Sequence, residues 1–299
     1  MTYAAGAPVT VGVDGSAASL HAVAWAAAQA SRRGRALNLV YVNTWPAYAY
    51  AMWPAWGPPE GQDGRSAGRD VLADAARHAA EIAPSAAVTT EIVDGGPATV
   101  LLERASESAL LVVGRRGLGG FPALLLGSVA TQVATYAECP VAVVPERGTP
   151  PAADGPGVVL GVDGSETCQA AIEYAFTEAS MRSVPLTAVR SWYWPTDDPA
   201  IVEAYAPLPA HHVLEQQRVL SEALAGWSEK FPDVQVRPVI AHHRPARALL
   251  DAADGAELLV VGARGSGGFR DLLLGSVGET VIRHAACPVV LVRATTAAH

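Results

Sequence analysis

The sequence predicts an α/β protein of two repeated doubly wound domains, each a five-stranded parallel sheet flanked by helices. Three observations carry that prediction. VGVDGS at 11–16 returns as LGVDGS at 160–165, and LLVVGRRGLGGF at 110–121 returns as LLVVGARGSGGF at 258–269, so a whole domain is written twice at a nearly constant offset. Short β-rich apolar runs alternate with stretches of helical composition, the pattern of parallel strands covered on both faces. A glycine-rich stretch follows the fourth apolar run of each half. A chain of 299 residues also suits two domains of roughly 150 residues better than one core.

The first run, 9–13, ends in Asp14, and SAASLHAVAWAAAQASRR follows with Leu20, Val23 and Ala27 near helical spacing. The second run is 37–42. GRDVLADAARHAAEIA then predicts a helix before the third run at 88–93. The fourth run, 110–113, leads into GRRGLGGFPALLLGS at 114–128, and SVATQVATYA predicts a helix before the last run at 141–144. The second half repeats these strands near 158–162, 186–191, 234–240, 258–261 and 289–292. There Ser276 followed by Glu279 has capping-box spacing, which predicts a helix starting at that serine. PERGTPPAADGPG, at 145–157, is rich in residues that continue neither sheet nor helix. The domains are therefore drawn at 1–146 and 158–299, with a linker at 147–157.

Bulk properties exclude several functions. Against 21 basic residues stand 29 acidic ones, a net charge of −8, and both nucleic acid and anionic membranes call for a basic surface. No run of eighteen apolar residues predicts a membrane span, and the amino end lacks the pattern of an export signal. Cys139, Cys168 and Cys287 form no C-x-x-C pair, which fits buried thiols in a reducing cytoplasm. The one lysine, Lys230, lies in AGWSEKF, so no Walker loop ending in G-K-[ST] exists in this chain.

In doubly wound sheets ligands bind beyond the carboxyl ends of the strands, where the strand order reverses. The chemistry-bearing residues fall there. Asp14 and Asp163 end the first strands of the halves, and either start a turn or cap a helix, or accept hydrogen bonds from a ribose hydroxyl or an adenine amino group. Both glycine stretches read G-x-x-G, nine residues, then Gly-Ser. Either they make tight connections, or their backbone amides and the helix start behind them hold an anion. Arg116 and Arg264, inside the G-x-x-G, add charge that a plain turn does not require.

With VDGS after strand one, G-x-x-G-(nine residues)-G-S after strand four and CPV before strand five, the sequence resembles the universal stress protein family in its tandem form. The resemblance covers nearly the whole chain. It implies that family's adenine-nucleotide-binding fold, with parallel strands ordered 3-2-1-4-5. By position, Asp14 would face the nucleoside with Gly12 beside it, and Val42 would offer its backbone to adenine. Gly114, Gly117, Gly127, Ser128 and Val129 would wrap ribose and phosphates, with Arg116 alongside. The matching residues of the second half are Gly161, Asp163, Ser191, Gly262, Gly265, Gly275, Ser276 and Val277, with Arg264. Ser191 replaces the family's apolar residue at the adenine position, preceded by Arg190. AHHRPA stands where the first half has DGGPA, so His242 and His243 either line the pocket or belong to an exposed loop.

The implied ligand is ATP, alone or with Mg2+, in up to two sites per chain. Five of the seven tryptophans fall in TWPAYAYAMWPAWGPPE and SWYWPTDDPAIVEAYAPLP, which form either contact surfaces or lids. In resembling proteins the edges of the last strands join domains, which suggests an internal pseudo-dimer and a further homodimer. The expected function is that of a cytoplasmic, nucleotide-dependent regulator of the stress response acting through a protein partner. A slow ATPase or phosphotransfer enzyme using the same pockets is the alternative, and the sequence leaves the enzymatic question open.

Overall fold

The computed structural model describes residues 6–44, 64–119, 125–146, 148, 150–165, 168–193, 209–265 and 274–294. Residues 120–124 and 266–273 of the glycine stretches, and nearly all of the two tryptophan-rich segments, lie outside the described residues. The chain divides into two compact units, Met1–Gly148 and Thr149–His299.

The first unit runs β1 (Val9–Val13), α1 (Ala17–Arg32), β2 (Leu37–Asn43), α2 (Arg65–Ile82), β3 (Val88–Asp94), α3 (Pro97–Ala105), β4 (Leu110–Gly114), α4 (Ser128–Tyr136) and β5 (Val141–Val144). Its strands pair in parallel in the order β3-β2-β1-β4-β5. The second unit runs β6 (Val158–Gly161), α5 (Gln169–Arg182), β7 (Leu186–Trp192), α6 (Pro209–Leu224), α7 (Trp227–Lys230), β8 (Val236–His242), α8 (Pro245–Ala252), β9 (Leu258–Gly262), α9 (Ser276–His284) and β10 (Val289–Val292). Its order, β8-β7-β6-β9-β10, repeats the 3-2-1-4-5 arrangement. Several strands outlast their apolar runs because the ladder continues onto polar and aromatic residues, pairing Asn43 with Asp94 and Trp192 with His242.

Apolar burial drives both units. Val9, Val11, Leu37, Leu39, Leu110 and Leu111 are fully buried in the first, and Val158, Leu160, Leu186, Leu258 and Leu259 in the second. Each such side chain contributes about 1.5–3 kcal/mol by leaving water. The strands beyond β2 and β7 are less buried and carry polar or turn-forming residues: Glu91 in β3 is held by Arg104, and β8 contains Arg237 and Pro238. Proline and charge there suit strands that pair on one side only.

The first crossover shows how the sequence sets a helix. Gly15 takes φ +85, which turns the chain sharply after Asp14, and Ser16 then caps α1 by accepting the Ser19 amide at 3.1 Å. Ala22, Ala26 and Ala30 are fully buried on α1, so the helix packs through small side chains. In the second unit Gly164 repeats the turn at φ +75, but the regular helix α5 begins only at Gln169. That helix carries Phe176, buried and stacked on Trp227 at 5.7 Å and on Phe231 at 5.6 Å. Among the described residues no helix is long and apolar enough to cross a membrane.

Candidate functional site

In each unit the connections from the two central strands leave in opposite directions, which opens a crevice beyond their carboxyl ends. Asp14 stands there, directly after β1. Its Oδ1 accepts the Ser16 amide at 2.9 Å and the Ser16 hydroxyl at 2.6 Å, which closes the turn. Its Oδ2 accepts the Leu118 amide at 2.9 Å, reaching the glycine loop 104 residues further on. Asp14 thus makes a turn and ties β1 to that loop, while the helix cap falls to Ser16. Asp163 repeats the turn, accepting the Ser165 amide at 2.9 Å and its hydroxyl at 2.7 Å.

The glycines permit this approach. A Cβ on Gly117 would lie 2.3 Å from Asp14 Oδ2, and one on Gly265 would lie 3.2 Å from Asp163 Oδ2. The two parts of each motif also meet. The Gly127 amide donates to the Arg115 carbonyl at 2.9 Å, and the Gly275 amide to the Ala263 carbonyl at 2.9 Å. The backbone of each Gly-Ser helix start therefore lies against its G-x-x-G turn, whatever the path of the spacer.

A helix starts at Ser276 as expected, but the capping box does not form. Gly275 is the residue in extended conformation, at φ −73 and ψ 150, so it occupies the cap and Ser276 becomes the first helical residue. A serine in that place cannot reach back to cap its own first turn, and Glu279 binds Arg283 instead at 2.5 Å. Gly127 and Ser128 stand in the same relation, again without a side-chain cap. Among the described residues neither helix start carries a side-chain cap.

In the second unit these elements enclose a cavity of about 430 Å3. Gly161, Asp163, Ser191, Gly262, Arg264, Gly265, Gly275, Ser276 and Val277, the second-half residues expected from the sequence, all line it. Arg190, Cys168, Tyr193, Pro245 and Leu249 complete much of the wall. Leu249 is half of a matched pair: Leu101 and Leu249 fill the space left by Gly12 and Gly161, where a Cβ would lie 2.8 Å and 3.1 Å from the leucine Cδ1 atoms. Gly12 thereby serves the packing of α3 against β1. Gly114 allows a similar approach, since a Cβ there would lie 2.9 Å from the Ala18 carbonyl oxygen. Val42 pairs with Val93 near the end of β2, and Val129 follows Ser128 in the first turn of α4.

Charge differs between the units. Arg116 is bound to Glu146 at 3.2 Å, whereas the positions equivalent to Pro145 and Glu146 are Arg293 and Ala294. Burial holds the Arg293 guanidinium below its ordinary value, and the nearby charge of Arg264 adds to that effect. Burial likewise pushes the thiols of Cys139 and Cys287 up to about 12 and that of Cys168 to about 11, so all three stay protonated and serve packing. The His242 ring stacks on Trp192 at 4.2 Å, and the cavity wall in that segment is supplied by Pro245.

Comparison with known proteins gives one consistent result. The Universal stress protein family matches the chain twice, over residues 7–145 and 157–293. A universal stress protein of Mycobacterium tuberculosis is 37% identical over 297 residues, covering 95% of this chain and 96% of the relative. Another from that organism is 36% identical over 302 residues, covering 95% and 94%. Among solved structures, a universal stress protein from Archaeoglobus fulgidus superposes with a TM-score of 0.66 at 19% identity, covering 96% of this chain and 98% of that one, which supports the fold.

Proposed function

The chain belongs to the universal stress protein family, and on that premise we propose that it is an ATP-binding regulator of the stress response, with one adenine-nucleotide site in each unit. The observation that carries this reading is the cavity of the second unit, where Asp163, the G-x-x-G turn and an uncapped helix start share one wall. Its volume of about 430 Å3 lies in the range of about 300–1,000 Å3 usual for small-molecule sites. Gly265, Ser276 and Val277 offer backbone amides to the phosphates, as a helix start does for anions, and Arg264 adds a cation. Asp163 accepts from the ribose hydroxyls, and Ser191 presents its backbone to the base. Asp14, Gly117, Ser128 and Val129 take the same roles in the first unit, and Mg2+ would enter on the triphosphate.

Nothing in this assignment requires a reaction. Occupancy would act by holding Asp14 and Asp163 and their facing loops in one arrangement that a protein partner or a second copy of the chain reads. The test is direct. Protein purified and then denatured in acid should release adenine nucleotide, up to two equivalents per chain, and protein stripped of ligand should take up ATP in calorimetry. No released nucleotide together with no uptake of ATP rejects the reading.

A further inference from the structure

The positions one residue before Val42 and Ser191 hold Tyr41 and Arg190, at the same register of β2 and β7. Tyr41 turns onto α2, where Gly68 leaves room for it: a Cβ on that glycine would lie 2.7 Å from the tyrosine Cδ1. Arg190 instead lines the second unit's cavity. Its guanidinium is fixed in place, Nε donating to Gln216 Oε1 at 2.7 Å and Nη1 to the Val162 carbonyl at 3.3 Å. Val162 immediately precedes Asp163, so the cation stands beside the carboxylate assigned to the ribose. It also lies close enough to Cys168, on the same wall, to act on that thiol electrostatically.

The second cavity therefore carries an arginine on each side of Asp163. Arg190 comes from β7 and Arg264 follows β9, the two neighbours of β6. Two strand spacings separate those flanks, about 10 Å, wide enough to stand on either side of a nucleoside. A guanidinium held by two hydrogen bonds is preorganised, and its remaining N–H donors match phosphate oxygens. The first unit has tyrosine in one of these places and a carboxylate-paired arginine in the other.

Resting on the adenine-nucleotide reading above, we propose that the second cavity takes adenosine phosphorylated at both ends, the 5′-phosphate at the glycine loop and a ribose 2′- or 3′-phosphate at Arg190. Asp163 then accepts from the remaining ribose hydroxyl while its other oxygen stays on Ser165. The first unit makes no such distinction.

The test compares AMP, adenosine 2′,5′-bisphosphate and adenosine 3′,5′-bisphosphate by calorimetry on the full chain, stripped of ligand. One of the bisphosphates should bind the wild type at least about 10-fold more tightly than AMP, consistent with a charge-assisted contact to phosphate. Arg190→Tyr, which installs the first unit's residue, should bring that ratio near one, and Arg190→Lys should keep part of the gain. Continued binding of AMP by the variant, in the same number of equivalents as by the wild type, shows an intact cavity. Should AMP and ATP bind while neither bisphosphate binds more tightly, or should Arg190→Tyr keep the wild-type ratio, this proposal falls and the nucleotide reading stands. Binding of no adenine nucleotide at all removes both.

Discussion

Where the second and third strands of each unit end, the two junctions are built with different chemistry. In the first unit Asn43 pairs in register with Asp94 and donates to its Oδ1 at 2.8 Å, while Arg65, at the start of α2, forms an ion pair with the other oxygen. In the second unit Trp192 pairs in register with His242 and stacks on it at 4.2 Å, with the His212 ring from the first turns of α6 at 5.7 Å. The duplicated backbone brings the ends of the second and third strands together in both units. The residue types then decide whether the junction is held by charge, which salt and acid weaken, or by ring contact. A duplicated fold can thus keep its crevices in place while the walls around them diverge.

The largest divergence lies beneath the sheet. Ala27 of α1 corresponds to Phe176 of α5, and both are fully buried. The second unit has therefore built an aromatic cluster, Phe176 with Trp227 and Phe231, and Lys230 lies 4.8 Å over the Trp227 ring. Phe176→Ala leaves that space empty and should cost about 3–5 kcal/mol, the usual loss for a buried phenylalanine. Urea denaturation followed by tryptophan fluorescence checks it. A midpoint shift worth less than about 1 kcal/mol would mean that the cluster does not hold the second unit together.

The glycine loops come next. Gly117→Ala puts a methyl group 2.3 Å from Asp14 Oδ2, so the carboxylate must move and the Leu118 amide loses its acceptor. A charge-assisted hydrogen bond of this kind is worth about 1.5–3 kcal/mol at most, and exposure of the loop puts the expected cost near the lower figure. Gly265→Ala meets Asp163 Oδ2 at 3.2 Å, which a shift of a few tenths of an ångström relieves, so it should cost under about 1 kcal/mol. Melting curves of the two variants rank them, and equal losses would mean that Asp14 does not tie β1 to its loop.

These contrasts also show what could be read from the sequence. Strand positions were legible to within a residue or two, because parallel strands covered on both faces must be continuous apolar runs. The sheet order came from the family resemblance rather than from any single run. The second-half site residues were proposed from the family resemblance, and the structure brings them to the wall of one cavity. The helix start at Ser276 was legible, but the capping role was not, because serine and glutamate at capping-box spacing look alike whether the serine precedes the helix or begins it. Only the extended backbone of Gly275 distinguishes the two. The wall role of Arg190 was not legible either, since the position of a side chain at a strand end depends on its neighbours, here Gln216 and the Val162 carbonyl.

The smallest expected effect returns to the polar junction, where the sign can be worked out in full. The hydrogen bond from Asn43, then the contacts with Arg65, hold the Asp94 carboxyl below its ordinary range. A carboxyl whose value is lowered by folding adds stability above its unfolded pKa of about 3.9, and that stability is lost as pH falls through the lower folded value. Because the Asp94–Arg65 pair is largely exposed, its contribution belongs with surface pairs at about 0.2–1 kcal/mol. Asp94→Asn should therefore destabilise the first unit slightly at pH 7. The difference from wild type should shrink below about pH 4 and disappear once the native carboxyl is protonated. High salt at pH 7 should shrink it as well, by screening the exposed charges. The second unit has no carboxylate at the corresponding register positions. Denaturation midpoints of wild type and Asp94→Asn between pH 3 and pH 7 test the contrast. A difference that grows on acidification would show that Asp94 is destabilised in the folded chain and that the junction is not held by charge.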